Sequence, residues 1–185
     1  METVKDFRTV EAYITNLGKY NEGELIGEWV VFPIDEDEEE ALMERIGVSD
    51  KPDAEGNVYD EYFVTDYESY GIDLYEIFGE YPNIDSLNEL AERLSEVSDY
   101  DDDKLCALIK EGWYGNDLNA VYEAIDNLDE WNYVQDLWDY GKEMVECSVN
   151  VPDFLDNYID YEKFGEDCMY DIDNFEADNG YYYKY

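Results

Sequence analysis

Fifty-one Asp and Glu side chains set against eleven Lys and Arg give this 185-residue chain a formal charge of −40, and it has no histidine. Any fold it adopts must hold those carboxylates apart and in water, because self-repulsion at high net charge opposes compaction. Acidic chains of this kind commonly stay disordered, since they bury too little apolar surface to offset chain entropy. Here 45% of the residues are hydrophobic and 17% aromatic, with 20 Tyr, 7 Phe and 4 Trp. The chain is therefore expected to fold, with aromatic cores beneath acidic surfaces.

The charge also sets a length scale. B-DNA carries about one negative charge per ~1.7 Å of axis, so forty charges correspond to roughly 20 base pairs, or ~70 Å of duplex. A compact chain of this size has a radius of gyration of about 16 Å and measures ~40 Å across. A string of small domains relieves that crowding and approaches the linear charge density of DNA. The expected class is α+β, an elongated string of small domains: an extension at 1–9, an N-terminal antiparallel sheet with one helix at 10–80, a helical middle domain at 81–127, and a C-terminal α+β domain at 128–185.

Several function classes lose support at once. Without histidine the commonest general base and metal ligand is missing. Cys106, Cys147 and Cys168 are odd in number and widely spaced, which fits reduced thiols better than a disulfide frame or zinc site. Asp101-Asp102-Asp103 and Asp171-x-Asp173 lack the glycine and terminal glutamate of a calcium loop. No P-loop, nucleophile elbow or dinucleotide fingerprint occurs, and carboxylate pairs of the glycosidase kind are too common here to be specific. The expectation is a binder with no cofactor, no metal and no catalytic residue. No apolar run approaches the ~18 residues of a membrane span, and no signal peptide opens the chain, which places it in the cytoplasm.

Along the chain, Glu11 to Asn16 reads as a strand, Gly18 to Gly23 as a turn, and Leu25 to Phe32 as a second strand stopped by Pro33. Asp35 can cap a helix, with Glu38 reaching back to it, Ala41, Leu42 and Ile46 forming the buried stripe, and Gly47 ending it. Glu61 to Tyr67 reads as a third strand. Ser86 to Glu89 reads as a capping box before Leu90, Ala91, Leu94 and Val97, and Asp101 to Asp103 opens a helix carrying Leu105, Leu108 and Ile109. Leu118, Val121, Tyr122 and Ile125 suggest another helix, although Ala120 to Asp126 also fits a strand. Trp131, Val134, Leu137, Trp138, Met144 and Val145 form the longest helical stripe. Pro152 and Asp153 open a short helix, Asp160 caps the next, and Asp178-Asn179-Gly180 turns a terminal hairpin rich in aromatic cross-strand pairs.

Three segments carry a resemblance. Tyr13 to Trp29, with Lys19, Tyr20, Asn21, Gly23 and Gly27, looks like the opening of the ArdA antirestriction proteins; Thr65-Asp66-Tyr67-Glu68 is similar to the acidic aromatic turn that closes their first domain. Tyr158 to Asp167, YIDYEKFGED, resembles their antirestriction motif, whose residues here are Leu155, Tyr158, Ile159, Asp160, Tyr161, Phe164, Gly165 and Asp167. Glu166 stands where the family usually has arginine.

The acidic faces suggest mimicry of duplex DNA, offering a basic channel the electrostatics of phosphates without a cleavable backbone. The resemblance implies that the target is the DNA-binding groove of type I restriction-modification enzymes, reached by a homodimer formed through the last domain. The chain is not expected to bind nucleic acid or membrane directly. The carboxylates assigned to the mimic surface are Asp35, Glu36, Asp37, Glu38, Glu39, Glu40, Asp66, Glu68, Asp99, Asp101, Asp102, Asp103, Asp126, Asp129 and Glu130. Leu155, Tyr158, Ile159 and Phe164 are expected mainly to build the last domain's core. The competing reading is an acidic cation-binding or chaperone-like protein with a basic partner outside restriction.

Overall fold

The alternation read along the first strands is realised in the computed structural model, which describes residues 8–69 and 71–185. Most of the expected 1–9 extension lies outside the described residues. Contacts fall into two compact units, one ending at Ile125 and one running from Asp126 to Tyr185. The class is mixed α+β, with one three-stranded antiparallel sheet in each unit.

In the first unit, β1 (Val10–Asn16) is central, with β2 (Gly27–Phe32) and β3 (Tyr62–Glu68) antiparallel on either side. Period-two burial puts Val10, Ala12, Ile14, Val30 and Phe32 in the core. The expected turn after β1 is instead the short helix α1 (Leu17–Asn21), because buried Asn16 caps it by accepting from the Lys19 N–H at 2.9 Å. The Asn16 amide also donates to the carbonyls of Ile46 and Gly47, so one side chain joins β1, α1 and the end of α2 (Glu36–Ile46). Asp35 caps α2 as expected, and Gly47 ends it in the left-handed region. The Glu38 carboxylate does not reach back. It lies 2.7 Å from Arg45, whose Nε donates to Glu28 on β2 at 2.9 Å.

After α3 (Leu74–Phe78), the longer α4 (Ile84–Ser95) buries Leu87, Leu90, Ala91 and Leu94. Its cap is Asn83, not Ser86, which lies inside the helix; Asn83 accepts from the Asp85 N–H at 3.0 Å. Asn88 exchanges two hydrogen bonds with the backbone of Ile34, at 2.8 and 3.0 Å, fixing α4 to the residue before the α2 cap. α5 (Asp102–Glu111) ends at left-handed Gly112, and α6 (Leu118–Asp126) is helical, which settles that ambiguity.

The second unit corrects the long stripe. Trp131 follows a 3-10 turn at Leu128–Glu130, Val134 ends β4 (Asn132–Val134), and α7 (Leu137–Ser148) begins only after its Asp136 cap. Strand pairing across about fifty residues overrides the local helical period. Then follow α8 (Asp153–Asp156), α9 (Tyr161–Met169), β5 (Asp173–Ala177) and β6 (Gly180–Lys184), with β6 central in its sheet. The hairpin turns across Asp178 and Asn179. Tyr140, Met169 and Tyr183 centre the core, with Tyr140 and Tyr183 rings 4.8 Å apart. Among the described residues no helix is long and apolar enough to cross a membrane.

α7 and α9 meet backbone to backbone through Gly141 and Gly165. A Cβ on Gly165 would overlap the Leu137 carbonyl, and one on Gly141 would overlap that of Tyr161. Alanine ordinarily gains a helical site about 1 kcal/mol over glycine. Here the rigid neighbour makes overpacking dominate, so Gly165→Ala and Gly141→Ala should each destabilise the second unit by about 1–3 kcal/mol. Urea unfolding followed by near-ultraviolet circular dichroism measures the loss; an unchanged midpoint would refute the close-contact role.

Candidate functional site

Carboxylates outnumber basic groups in the chain by 51 to 11. α2 shows how the sequence places them: the Asp35 cap, Glu36, Asp37 and Glu38 crowd the positive end of the helix dipole, where acidic side chains are favoured. Asp35, Glu36, Asp37, Glu38 and Glu40 are exposed, while Glu39 is half-buried. Among the described residues Glu36, Asp37 and Glu40 make no ion pair. Burial first, then the nearby Asp85 and Glu36 carboxylates, push the Glu39 carboxyl above its ordinary pKa. Burial is the larger cause, and the carboxylates of Asp85 on α4 and Glu36 on α2 add to it.

The other assigned carboxylates lie on several elements. Asp66 and Glu68 are exposed on β3, and Asp66 accepts from the N–H of Tyr67. Asp99 is exposed and ion-paired with Arg8. Asp103 is exposed, whereas Asp101 and Asp102 are half-covered at the start of α5, with Asp101 2.8 Å from Lys104. Asp126, Asp129 and Glu130 are exposed at the start of the second unit, where Glu130 lies 3.5 Å from Lys184. Most of the described cations thus pair with carboxylates locally. Among the described residues no group of His, Cys, Asp or Glu gathers as a metal site.

The C-terminal motif divides into packing and surface. Tyr161 is buried, donates to Asp156 at 2.7 Å and packs edge-on against Trp138 at 5.5 Å. That hydrogen bond, then burial, raises its phenol pKa to about 12. Gly165 makes the interhelical contact, Asp160 caps α9, and Asp167 lies 3.3 Å from Lys163, with Glu166 at 4.0 Å from the same amine. Ile159 is half-buried. The core assignment of Leu155, Tyr158 and Phe164 is corrected: they are 42%, 85% and 39% exposed, beside Phe154 at 72%. α8 is a single turn between Pro152 and Asn157, too short to bury both its faces.

Sequence reasoning also passed over the exposed aromatic residues of the first sheet. Trp29 and Val31 alternate with buried Val30 and Phe32 along edge strand β2, so the signal lay in the same period-two pattern. Tyr13 stands opposite Trp29, with ring centroids 5.5 Å apart at 72°.

A comparison with protein-family profiles matches the antirestriction protein (ArdA) family over residues 12–183. No curated protein matches the chain in sequence.

The Glu39 shift gives a pH signature. A carboxyl whose pKa is raised by folding adds stability fully present below its ordinary value of 4.5 and lost as pH rises through the folded value. Glu39→Gln should therefore melt higher than the parent near pH 7, with the gap closing toward about pH 4.5, the ordinary range for glutamate. A gap that is constant with pH in scanning calorimetry would contradict the crowding.

Proposed function

The chain belongs to the ArdA antirestriction family, and from that premise we propose that it inhibits type I restriction-modification enzymes by mimicking duplex DNA. Antirestriction is the family's function. The mimicry reading rests on one observation above all: carboxylates are exposed on strands, helices and connections of both units, while most of the described basic residues are spent on local pairs. A DNA-binding groove lined with Lys and Arg gains the same release of counterions from such a surface as from phosphates. The inhibitor has no scissile bond and no base to methylate, so it acts by stoichiometric occupancy in the cytoplasm, where incoming DNA meets the enzyme.

We further place a two-fold contact on the second unit, through exposed Phe154, Leu155, Tyr158 and Phe164. An isologous contact presents the same patch twice, which suits a cluster of apolar side chains within the family's own motif. It doubles the charged array to about 40 base-pair equivalents by phosphate spacing. Replacing Leu155 and Tyr158 together by Asp should convert a dimer into a monomer by light scattering; an unchanged mass rejects this contact.

The mimicry test is displacement of labelled duplex from a purified type I enzyme. Affinity should fall steeply with salt, and a flat salt dependence or failure to displace DNA would remove the reading. The carboxylates to neutralise are Glu36, Asp37 and Glu40. Asp35 and Glu38 are unsuitable, because the first caps α2 and the second pairs with Arg45. Exposed pairs are worth roughly 0.2–1 kcal/mol each, so the triple change to Gln, Asn and Gln should weaken inhibition by at least roughly threefold and by no more than roughly 150-fold. Single changes should each cost little, and complete loss from any one would contradict a distributed surface.

A further inference from the structure

The open face of the N-terminal sheet combines aromatic and acidic side chains in register. One row across the three strands is Trp29, Tyr13 and Asp66, and the next is Val31, Glu11 and Glu68. Residues directly opposite on antiparallel strands project to the same side. Trp29 and Val31, on edge strand β2, are 41% and 55% exposed beside the acidic side chains of β1 and β3. Tyr13 is held in place: its ring lies so close to Gly27 that a Cβ there would sit 2.7 Å from the ring edge. At the other end of this face Phe63 is buried beneath Tyr20 of α1, so the Trp29 end is the open one.

The chain shows elsewhere what such a combination holds. Lys19 sits 4.4 Å over the Tyr59 ring and 3.2 Å from Glu22. Arg93 sits 4.2 Å over Tyr122 and 3.3 Å from Glu89. Lys184 sits 5.4 Å over Trp131 and 3.5 Å from Glu130. Each is a cation placed on a ring face with a carboxylate beside it. The Trp29 and Tyr13 site has the same parts, and among the described residues no cation of the chain fills it.

We propose that this face is a guanidinium-binding platform, with Trp29 and Tyr13 as the stacking surface and Asp66 and Glu11 as acceptors, and that its occupant is an arginine of the target's DNA-binding groove. The proposal rests on the mimicry reading for the identity of the partner. Arginine is favoured over lysine because its planar, weakly hydrated head stacks on a ring while its fork bonds a carboxylate. Carboxylates alone would not distinguish the two cations to that degree. The platform therefore adds ring stacking to the bidentate bonding that carboxylates and phosphates alike offer arginine.

The test uses the full chain with oligoarginine and oligolysine peptides of equal length, followed by calorimetry and by the indole N–H resonance of Trp29. Oligoarginine should bind about two- to fivefold tighter than oligolysine, in line with an exposed cation–π contact. It should also shift the Trp29 resonance. Trp29→Leu should abolish the preference and keep charge-driven binding of both peptides, while Trp29→Phe retains part of it; melting temperatures confirm that both variants fold. Equal binding of the two peptides to the parent chain, or a Trp29→Leu chain with the parent's preference, overturns the platform even if the protein displaces DNA. A Trp29-dependent arginine preference in a chain that fails to displace DNA supports the platform and removes mimicry instead.

Discussion

Repulsion between carboxylates is the condition every other feature of this structure has to meet. With a formal charge of −40, the folded state is stable only if charges are kept at the surface and the apolar interior is strongly cohesive. The aromatic content supplies that cohesion in compact form. In the second unit Phe175 contacts Trp131 and Tyr182 at centroid distances of 5.3 and 5.4 Å, and Tyr140 meets Tyr183 on the opposite side of β6. Such pairs contribute roughly 0.5–1.5 kcal/mol each beyond the area they bury. Tyrosine suits this role because its ring packs while its hydroxyl tolerates an acidic, wet boundary.

Acidic side chains also take part in building the elements that carry them. Asp35, Asp73, Asp136 and Asp160 each cap a helix by accepting from a backbone N–H. A charge at that position is stabilised by the helix dipole as well as by the hydrogen bond. Part of the net charge is therefore structurally favourable, and only the remainder is in unrelieved repulsion. Glu39 lies on the unfavourable side of that division, with its pKa raised by burial and by two neighbouring carboxylates.

Local signals in the sequence were sufficient where one element settles its own fate. The alternation of Gly27 to Phe32, the Asp35 and Asp160 caps and the Asp178-Asn179 turn all lie within a few residues of the structure they specify. The misread elements depend on distant partners. Asn132–Val134 is a strand because β6 pairs with it, and a helical period running through Leu137 hides the boundary. Ser86 lost to Asn83 because the helix begins at Ile84, whose side chain is buried. The Gly141 and Gly165 contact needs two helices brought together, and neither glycine announces it alone. The carboxylates of the site were legible as a population, while which of them cap, pair or stand free required side-chain geometry.

In the motif near the C-terminus one short string serves two purposes at adjacent positions. Tyr161 and Gly165 face inward and fix α9 against α7, while Tyr158 and Phe164 face solvent. Because helical positions four apart share a face, Tyr161 and Gly165 form one buried stripe, and Phe164 falls outside it. An exposed aromatic next to a rigid buried stripe is well placed for recognition, since its backbone is fixed and little order has to be gained on contact. The same logic applies at Trp29, where β1 pairs with β2 and Tyr13 backs the ring. In both places a presented aromatic side chain interrupts the acidic surface, and the proposed occupants differ: a second copy of the chain at Tyr158 and Phe164, and a basic partner, drawn in by charge, at Trp29.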